Sequence, residues 1–264
     1  MSWTLPVSVI MSIALGLAAP GLRRLFGAGL GRVLALWPLA LFVYFLGLAP
    51  GIAEGEVWRA SFRWFTVPAG WLPGGAGPFD VHFGFALDGL AFLFVLLITG
   101  VGALVMFYAS SYLGKDENHG AFFAYLMLFV GAMLGVVLAD NLFVMYLFWE
   151  MTSITSFLLI GFWSHRPESR AGALKALLVT AAGGLAFLAG AALILVAAGS
   201  VDLETLLAGG EGLRSSPLYP AMLVLVLLGA FTKSAQAPFH LWLPNAMEAP
   251  TPVSAYLHSA AMVK

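Results

Sequence analysis

The sequence predicts an all-α fold: a polytopic transmembrane helix bundle of about eight spans, with a discontinuous seventh helix. Of the 264 residues, 61% are apolar and only 9% are charged, and the mean hydropathy is +0.95. Because a soluble domain carries roughly a quarter charged residues, this chain has too few to cover a water-facing surface. Apolar stretches of spanning length recur along it, and four prolines interrupt the seventh. Lipid must therefore be its solvent.

Each predicted span is close to the roughly 20 apolar residues that a helix needs to cross the hydrocarbon core. Helices are predicted because every backbone N–H and C=O must find a partner inside lipid. The spans are residues 4–20, 33–51, 85–112, 121–139, 141–163, 172–199 and 218–237, and an eighth begins near 251. The sequence stops within the apolar pattern of the eighth, so we expect a chain truncated there.

The basic residues of the short loops predict the orientation, because positive charge marks the cytoplasmic side. The loops on one side hold Arg23, Arg24, Arg32, Lys115, Arg166, Arg170 and Lys175. The alternate loops hold Arg59, Arg63 and Arg214. We expect a multi-pass protein of the cell inner (cytoplasmic) membrane with its N-terminus outside. The tryptophan-rich loop 52–84 is expected outside too, along the membrane interface, although a plain connector fits as well.

Composition and motifs exclude several function classes. A net charge of −1 gives no electrostatic case for nucleic acid, and the absence of cysteine excludes disulfides and thiolate metal sites. The sequence has no phosphate-binding glycine motif, no Cys/His metal cluster and no Ser/His/Asp set at motif spacing. We therefore expect no catalytic site, no cofactor and no bound metal.

Two charged residues lie deep inside predicted spans, where insertion of a charge costs about 2.5–3.5 kcal/mol. Glu150 lies about ten residues into the fifth span, and hydroxyl side chains follow it at Thr152, Ser153, Thr155 and Ser156. Lys233 follows the almost wholly apolar run 218–231. Intramembrane charges normally face the bundle interior and mark an ion or proton path. The alternatives are a helix-locking role for Glu150 and a snorkelling side chain at Lys233.

The helical pattern breaks directly after Lys233. Four prolines fall within fifteen residues, at Pro238, Pro244, Pro250 and Pro252. Each removes a backbone donor, and non-helical backbone at membrane depth survives only where protein buries it or water reaches it. Because discontinuous helices build ion sites in transporters, we expect this break to be functional. A loop at the membrane surface is the alternative.

Five further ionisable residues are candidates for ion passage or capping. His240 lies in the break, and His258 and Lys264 lie in the eighth span. Histidine changes its charge near neutral pH, so both histidines suit proton transfer. A histidine bonded to a backbone carbonyl is the alternative for His258. Asp88 and Asp140 begin spans, where a carboxylate caps a helix or receives ions from outside.

Residues 232–264 resemble the signature of the antiporter-like subunits of respiratory complex I and the Mrp cation/proton antiporters. The resemblance rests on Thr232-Lys-Ser-Ala-Gln-Ala-Pro238 and Tyr256-Leu-His-Ser-Ala260. The segment Phe148-Trp-Glu-Met-Thr-Ser153 resembles the fifth-helix glutamate motif of that family. The wording of Tyr256-Leu-His-Ser-Ala260, with Leu134-Gly-Val-Val-Leu-Ala-Asp-Asn141, looks most like the Mrp branch.

The resemblance implies a component of a multi-subunit Na+/H+ antiporter in the bilayer, with other subunits as partners and no enzymatic activity. Residues 1–84 would hold two spans and the interfacial loop, and residues 85–264 the incomplete first part of the translocation domain. Glu150 and Lys233 would form a charge pair. Protons would then pass along Lys233, His258, Lys264 and His240. The alternatives are a proton-pumping component of a complex I-type NADH:quinone oxidoreductase and a purely structural scaffold.

Overall fold

Long apolar helices make up most of the chain in the computed structural model, which describes residues 3–68, 79–113, 118–260 and 262–263. The helices are α1 Thr4–Phe26, α2 Leu30–Leu46, α3 Ala49–Ala53, α4 Gly89–Tyr112, α5 His119–Leu138, α6 Leu142–Ile160, α7 Pro167–Ala198, α8 Leu203–Ala208, α9 Gly210–Ser215, α10 Tyr219–Lys233, α11 Trp242–Asn245 and α12 Thr251–Ser254. Two strands, β1 Trp58–Val67 and β2 Phe79–Leu87, lie between α3 and α4.

Within the described residues, five helical stretches are long and apolar enough to cross a membrane. The first, Thr4–Leu46, contains both α1 and α2, which a 3-10 turn at Gly27–Gly29 separates; the others are α4, α5, α6 and α7. The helix α10 is also apolar but has only 15 residues. The predicted helical, multi-pass membrane fold is confirmed, and the number of spans stays a prediction.

Small residues allow the long helices to approach closely. The helix α1 packs along α5, and a Cβ added at Gly131 of α5 would lie 2.8 Å from Ile13. One added at Gly135 would overlap the ring of Phe148 on α6. Apolar burial does not drive helices together in lipid, so close contacts at small residues take its place.

Residues 58–87 contain an antiparallel β-hairpin, whereas we expected a loop. Strands β1 and β2 pair from Trp58 opposite Leu87 to Val67 opposite Phe79. The rings of Phe83 and Phe85 pack against Phe148 of α6. From Trp58 to Trp64 apolar and polar side chains alternate strictly, which is the period of a half-buried strand. This alternation indicates a strand, but the tryptophans of the segment led us to expect a loop at the membrane interface.

The hairpin, the α5–α6 junction and the start of α8 meet at one end of the bundle. The N–H of Asp140 donates to the Gly84 carbonyl at 3.0 Å, and the N–H of Leu203 donates to the Asp140 carbonyl at 2.9 Å. Arg59 and Glu204 form an ion pair at 3.4 Å. These are the segments that the charge pattern assigns to one side of the membrane, so the topology agrees with the predicted alternation of loops.

The start of α5 lies at the opposite end, with the α1–α2 and α6–α7 connections. A Cβ added at Gly120 would lie 3.1 Å from the side chain of Arg23, and the rings of Phe122 and Phe162 are 5.1 Å apart. This end carries the described members of the larger basic group, at Arg23, Arg24, Arg32, Arg166, Arg170 and Lys175.

Asp140 should make the stability of the protein depend on pH. Burial raises the pKa of its carboxyl, the carboxylates of Asp202 and Glu204 add to this, and Arg59 opposes it. Because the folded state then binds the proton more tightly than the unfolded chain, stability falls as the pH rises through this pKa. Asp140→Asn should therefore melt at a higher temperature than the wild type at neutral pH, and the gain should vanish below about pH 4.

The measurement is the melting temperature of the purified protein in detergent across this pH range. Glu211→Gln is the control, because Glu211 is exposed and its neutralisation should leave the melting temperature unchanged. Equal melting temperatures of Asp140→Asn and the wild type at neutral pH would contradict the burial argument.

Candidate functional site

The helix α10 ends at Lys233 in a Schellman motif. Ala235 takes a left-handed φ of 53°, and its N–H donates to the Thr232 carbonyl at 3.4 Å. The N–H of Gln236 donates to the Phe231 carbonyl at 2.9 Å, which completes the pattern that satisfies the last carbonyls of a helix. The indole N–H of Trp242 also donates to the Thr232 carbonyl, at 2.9 Å. The predicted break in the seventh helix is confirmed.

After Lys233 the chain continues as short pieces. They are the 3-10 turn Phe239–Leu241, α11, the 3-10 turn Ala246–Glu248, α12 and a π-helix at Ala255–Ala260. A Cβ added at Gly172 of α7 would overlap the carbonyl of Asn245, and Lys175 of α7 donates to the Asn245 side chain. The first part of α7 therefore supports the broken segment.

Lys233 is buried, with 5% of its surface exposed, and neutral oxygens of α6 hold its ammonium. Its Nζ donates to Ser153 Oγ at 2.7 Å and to the Trp149 carbonyl at 3.2 Å. The same Nζ lies 5.2 Å from the centre of the Trp149 ring, within the range of a cation–π contact. That ring stacks on Phe187 of α7 at 5.4 Å. The lysine therefore faces the protein interior and does not snorkel to the surface.

Glu150 lies beside this contact without joining it. The carboxylate oxygens of Glu150 lie more than 4.0 Å from Lys233 Nζ, so the two residues form no ion pair, although each charge acts on the other. Oε1 of Glu150 is buried and has no hydrogen-bond partner in the protein. A Cβ added at Gly184 would overlap this oxygen, so the carboxylate lies directly against α7. The expected direct charge pair is therefore absent in this conformation.

The contacts with α7 show where the site lies along the bundle. A Cβ added at Gly183 would overlap Thr232 Oγ1, so Thr232 and Glu150 both contact the Gly183–Gly184 pair. Gly183 lies sixteen residues after Pro167 and fifteen before Ala198, which is the middle of α7. Glu150 and the end of α10 at Thr232 therefore lie beside the centre of the longest helix, and their depth in the membrane stays a prediction.

A cavity of about 450 Å³ opens beside Lys233. Its walls are mainly apolar side chains of α4, α5 and α10, and its polar lining comes from Thr152, Lys233, Ser234 and Gln236. Among the described residues, no group of three His, Cys, Asp or Glu side chains forms a metal site.

The three remaining candidates for proton transfer, His240, His258 and Lys264, differ in their surroundings. His258 lies on the π-helix, a form that is frequent at functional sites, with its ring 6.3 Å from that of Trp242. Both of its ring nitrogens are buried and have no hydrogen-bond partner in the protein. The backbone-bonded alternative for His258 is therefore wrong for this conformation. His240 is exposed, and Lys264 lies outside the described residues.

The two predicted cap residues differ. Asp88 Oδ1 accepts from the N–H of Ala91 at 2.8 Å and so caps α4. At α6 the cap is Asn141, whose Oδ1 accepts from the N–H of Val144 at 2.8 Å. The capping role that we expected for Asp140 therefore belongs to its neighbour, because Asp140 lies one residue too early and its carbonyl bonds to α8.

Four residues of this site were not among the sequence candidates: Trp149, Thr232, Gly183 and Gly184. The paired glycines in an otherwise helical apolar span were a detectable signal, because a helix tolerates glycine only at a cost and usually for a packing reason. The role of the Trp149 carbonyl had no signal, since every residue has one.

Two family models match the chain. One is described as the transmembrane region of NADH:quinone oxidoreductases and Mrp antiporters and matches residues 139–264. The other is described as the N-terminus of chain 5 of NADH-ubiquinone oxidoreductase (complex I) and matches residues 71–123. Over 98% of the chain, 49% of residues are identical to the A1 subunit of the Na+/H+ antiporter of Staphylococcus haemolyticus. The chain belongs to this antiporter-like subunit family.

Three further proteins are similar to the chain in sequence or in fold. The A1 subunit of the Staphylococcus aureus antiporter is 44% identical over 98% of the chain. The Mrp complex of Dietzia sp. DQ12-45-1b matches 99% of the chain with a TM-score of 0.82 and 38% identity. An archaeal membrane-bound sulfane sulfur reductase shares the fold, with a TM-score of 0.80 over 99% of the chain and 19% identity.

The relatives are longer than this chain. It spans 31% of each of the two staphylococcal relatives, 27% of the matched Mrp chain and 51% of the matched reductase chain. The relatives with the higher identities are named as transporter subunits, in agreement with the expectation that the chain is not an enzyme.

The contact between Glu150 and Gly184 can be tested with a double-mutant cycle. Gly184→Ala should destabilise the protein by about 1–3 kcal/mol, because the new methyl group overlaps the Glu150 carboxylate. In a Glu150→Ala background the carboxylate is gone, so the same substitution should cost much less. The free energy of unfolding of the four proteins in detergent measures this coupling.

Gly21→Ala is the matched control, since a Cβ at Gly21 meets no atom within 4 Å. It should change the free energy of unfolding by the same small amount in both backgrounds, because alanine is favoured over glycine inside a helix. Equal costs of Gly184→Ala with and without the carboxylate would show that Glu150 does not lie against α7.

Proposed function

We propose that this chain is the ion-translocating N-terminal part of the large, A-type component of an Mrp-type Na+/H+ antiporter. One observation carries the proposal: a lysine ammonium is held by neutral oxygens inside the helix bundle, where its own helix breaks. Ionisable groups inside a transmembrane bundle normally serve ion or proton paths. The names of the 44–49% identical relatives favour an antiporter over a component of complex I.

The partners in this proposal are the other subunits of a hetero-oligomeric membrane complex, with Na+ and protons as the transported ions. The relatives are described as subunits, and the matched Mrp structure is a complex. The chain spans 31% of the length of those relatives, so the exchange is proposed for the whole complex and not for this chain alone.

In the proposed path, protons reach Lys233 through the groups beyond Trp242. Ser254 Oγ and both ring nitrogens of His258 are buried and without protein partners. Buried polar groups of this kind are usually satisfied by ordered water, which also conducts protons. His240 is at the exposed end of the path, and Lys264 would continue it.

Glu150 is assigned the control of the charge on Lys233. Its carboxylate acts on the ammonium from beyond ion-pair distance. Movement of α6 relative to α10 would change this separation and with it the proton affinity of the lysine. A lysine that changes its proton affinity in this way can take up a proton on one side and release it on the other.

The charge and the proton of Lys233 can be separated by substitution. In the full-length complex, reconstituted in liposomes, Lys233→Ala should slow Na+-driven proton efflux by about a hundredfold, as expected for loss of a proton-transferring group. Lys233→Arg should be equally inactive, because a guanidinium keeps its proton at any working pH. Efflux is followed with a pH-sensitive dye.

Glu150→Gln should also slow efflux, whereas Glu248→Gln should not, because Glu248 is exposed. Efflux at the wild-type rate in Lys233→Ala would falsify the proposed function. Activity in Lys233→Arg alone would show that the site needs a positive charge but no transferable proton.

We propose that the chain lies in the cell inner membrane with its N-terminus outside. The support is the basic bias of the end formed by the α1–α2 and α6–α7 connections. In this orientation the β-hairpin and α8 cover the outer end of the bundle.

The orientation can be tested by cysteine labelling, since the chain has no cysteine of its own. Ser215→Cys should react with a membrane-impermeant maleimide in intact cells, because it lies in the proposed outer loop and is exposed. Ser164→Cys, exposed in the proposed inner loop, should react only after permeabilisation. The reverse labelling pattern would invert the proposed topology.

A further inference from the structure

Three oxygens and one ammonium converge on α6. Thr152 Oγ1 lies 2.7 Å and Ser153 Oγ 3.3 Å from the Trp149 carbonyl oxygen, to which both hydroxyls donate. Lys233 Nζ lies 3.2 Å from the same oxygen and 2.7 Å from Ser153 Oγ. Because each hydroxyl donates its proton to the carbonyl, the lone pairs of its oxygen are available to bind a cation.

We propose that these oxygens form a binding site for a monovalent alkali cation, and that the ammonium of Lys233 is its occupant when the lysine is protonated. The inference rests on the proposed exchange of Na+ for protons and names the place where the cation binds. Carbonyl and hydroxyl oxygens are the groups that replace the hydration shell of alkali ions in membrane proteins.

The surroundings of the site favour a single positive charge. Glu150 supplies the negative charge that acts on Lys233, and the Trp149 ring presents its electron-rich face. Among the described titratable side chains, Tyr146 on α6 interacts with the charge of Glu150, and Tyr256 and His258 lie on the π-helix beyond Trp242. The titratable side chains of α7 lie in its first ten residues. With one compensating carboxylate, two cations together would leave an unpaired charge inside the membrane, which is costly.

The site therefore holds either a proton, carried by Lys233, or an alkali cation, but not both. When the cation binds, the ammonium gives its proton to water in the cavity beside Lys233, and the neutral amine keeps a lone pair that can itself contact the cation. When Lys233 is protonated again, the cation leaves. Mutually exclusive occupancy of this kind is the condition for obligatory exchange of the two ions.

The cavity beside Lys233 supplies the access route. Its volume of about 450 Å³ holds several waters, and it touches Trp149, Thr152 and Lys233 directly. Ser234 and Gln236, just past the end of α10, line the same space and offer oxygens to a partly hydrated ion. The wall on α4 and α5 is apolar, so the cation's polar contacts are concentrated at α6 and the helix break.

The experiment compares two matched threonines of α6, both buried and both bonded to backbone carbonyls. Thr152 belongs to the proposed site, whereas Thr155 Oγ1 donates to the Met151 carbonyl one turn further on. In the reconstituted full-length complex, Thr152→Val should raise the half-saturating Na+ concentration about tenfold, as expected when a charged group loses one polar contact. Thr155→Val should leave it unchanged, and Thr152→Ser should restore it.

Competition with the proton gives a second, independent readout. For the wild type, the half-saturating Na+ concentration should fall as the pH rises. In detergent without turnover, NaCl should release protons from the complex in excess of choline chloride, and Lys233→Ala should abolish that excess. The second measurement remains decisive if Thr152→Val fails to assemble.

The outcomes separate this inference from the proposed function. If Lys233→Ala stops exchange while Thr152→Val and Ser153→Ala keep the wild-type half-saturation, the cation site is wrong and the proton path stands. An equal effect of Thr152→Val and Thr155→Val, or no excess proton release, also overturns the site. Exchange that survives Lys233→Ala overturns both.

Discussion

The rest of the structure depends on how a lysine ammonium is held near the middle of the bundle. A charge at this depth is costly unless its surroundings satisfy it. Here the Trp149 carbonyl and Ser153 Oγ accept its hydrogen bonds, and the Trp149 ring lies beside it. The end of α10 helps as well, because the last turn of a helix favours positive charge. The Schellman motif therefore ends α10 at the position where the helix terminus stabilises the ammonium of Lys233.

The helix α7 connects this contact to the overall fold. Its central glycine pair contacts Thr232 of α10 and Glu150 of α6, and its first turns support the broken segment through Gly172 and Lys175. A single long helix thus fixes the depth of both charged residues and the position of the chain after the break. Because glycine lets helix backbones approach closely, a side chain at either central position would separate the elements that form the site.

The sequence predicted the large features of this protein because they follow from solvent and backbone chemistry. The scarcity of charged residues predicted a protein that lies in lipid, and a chain in lipid must form helices to satisfy its backbone hydrogen bonds. The four prolines predicted a break in the helix after Lys233. It did not predict the partner of the lysine. A buried carboxylate nearby made Glu150 the obvious choice, but the rotation of α6 about its axis brings Trp149 and Ser153 to Nζ instead. Each residue of a helix is rotated by about 100° from the one before it, so neighbouring side chains face different partners. The packing of α6 against α10, and not the sequence pattern, decides which of them faces Lys233. The hairpin was missed for the opposite reason, since its alternation was visible but the tryptophans suggested the interface.

The absence of a direct ion pair has a mechanistic consequence. An ammonium bonded to a carboxylate in a low-dielectric interior is held strongly, and breaking such a buried pair is expensive. Neutral oxygens hold the same ammonium less tightly, because their hydrogen bonds lack the full charge of a carboxylate. Lys233 is therefore stabilised enough to remain buried, and the proton exchange that the proposed function requires of it would not need the separation of two bare charges. Glu150, placed against the α7 backbone and outside ion-pair distance, sets the electrostatic balance of the site without locking it.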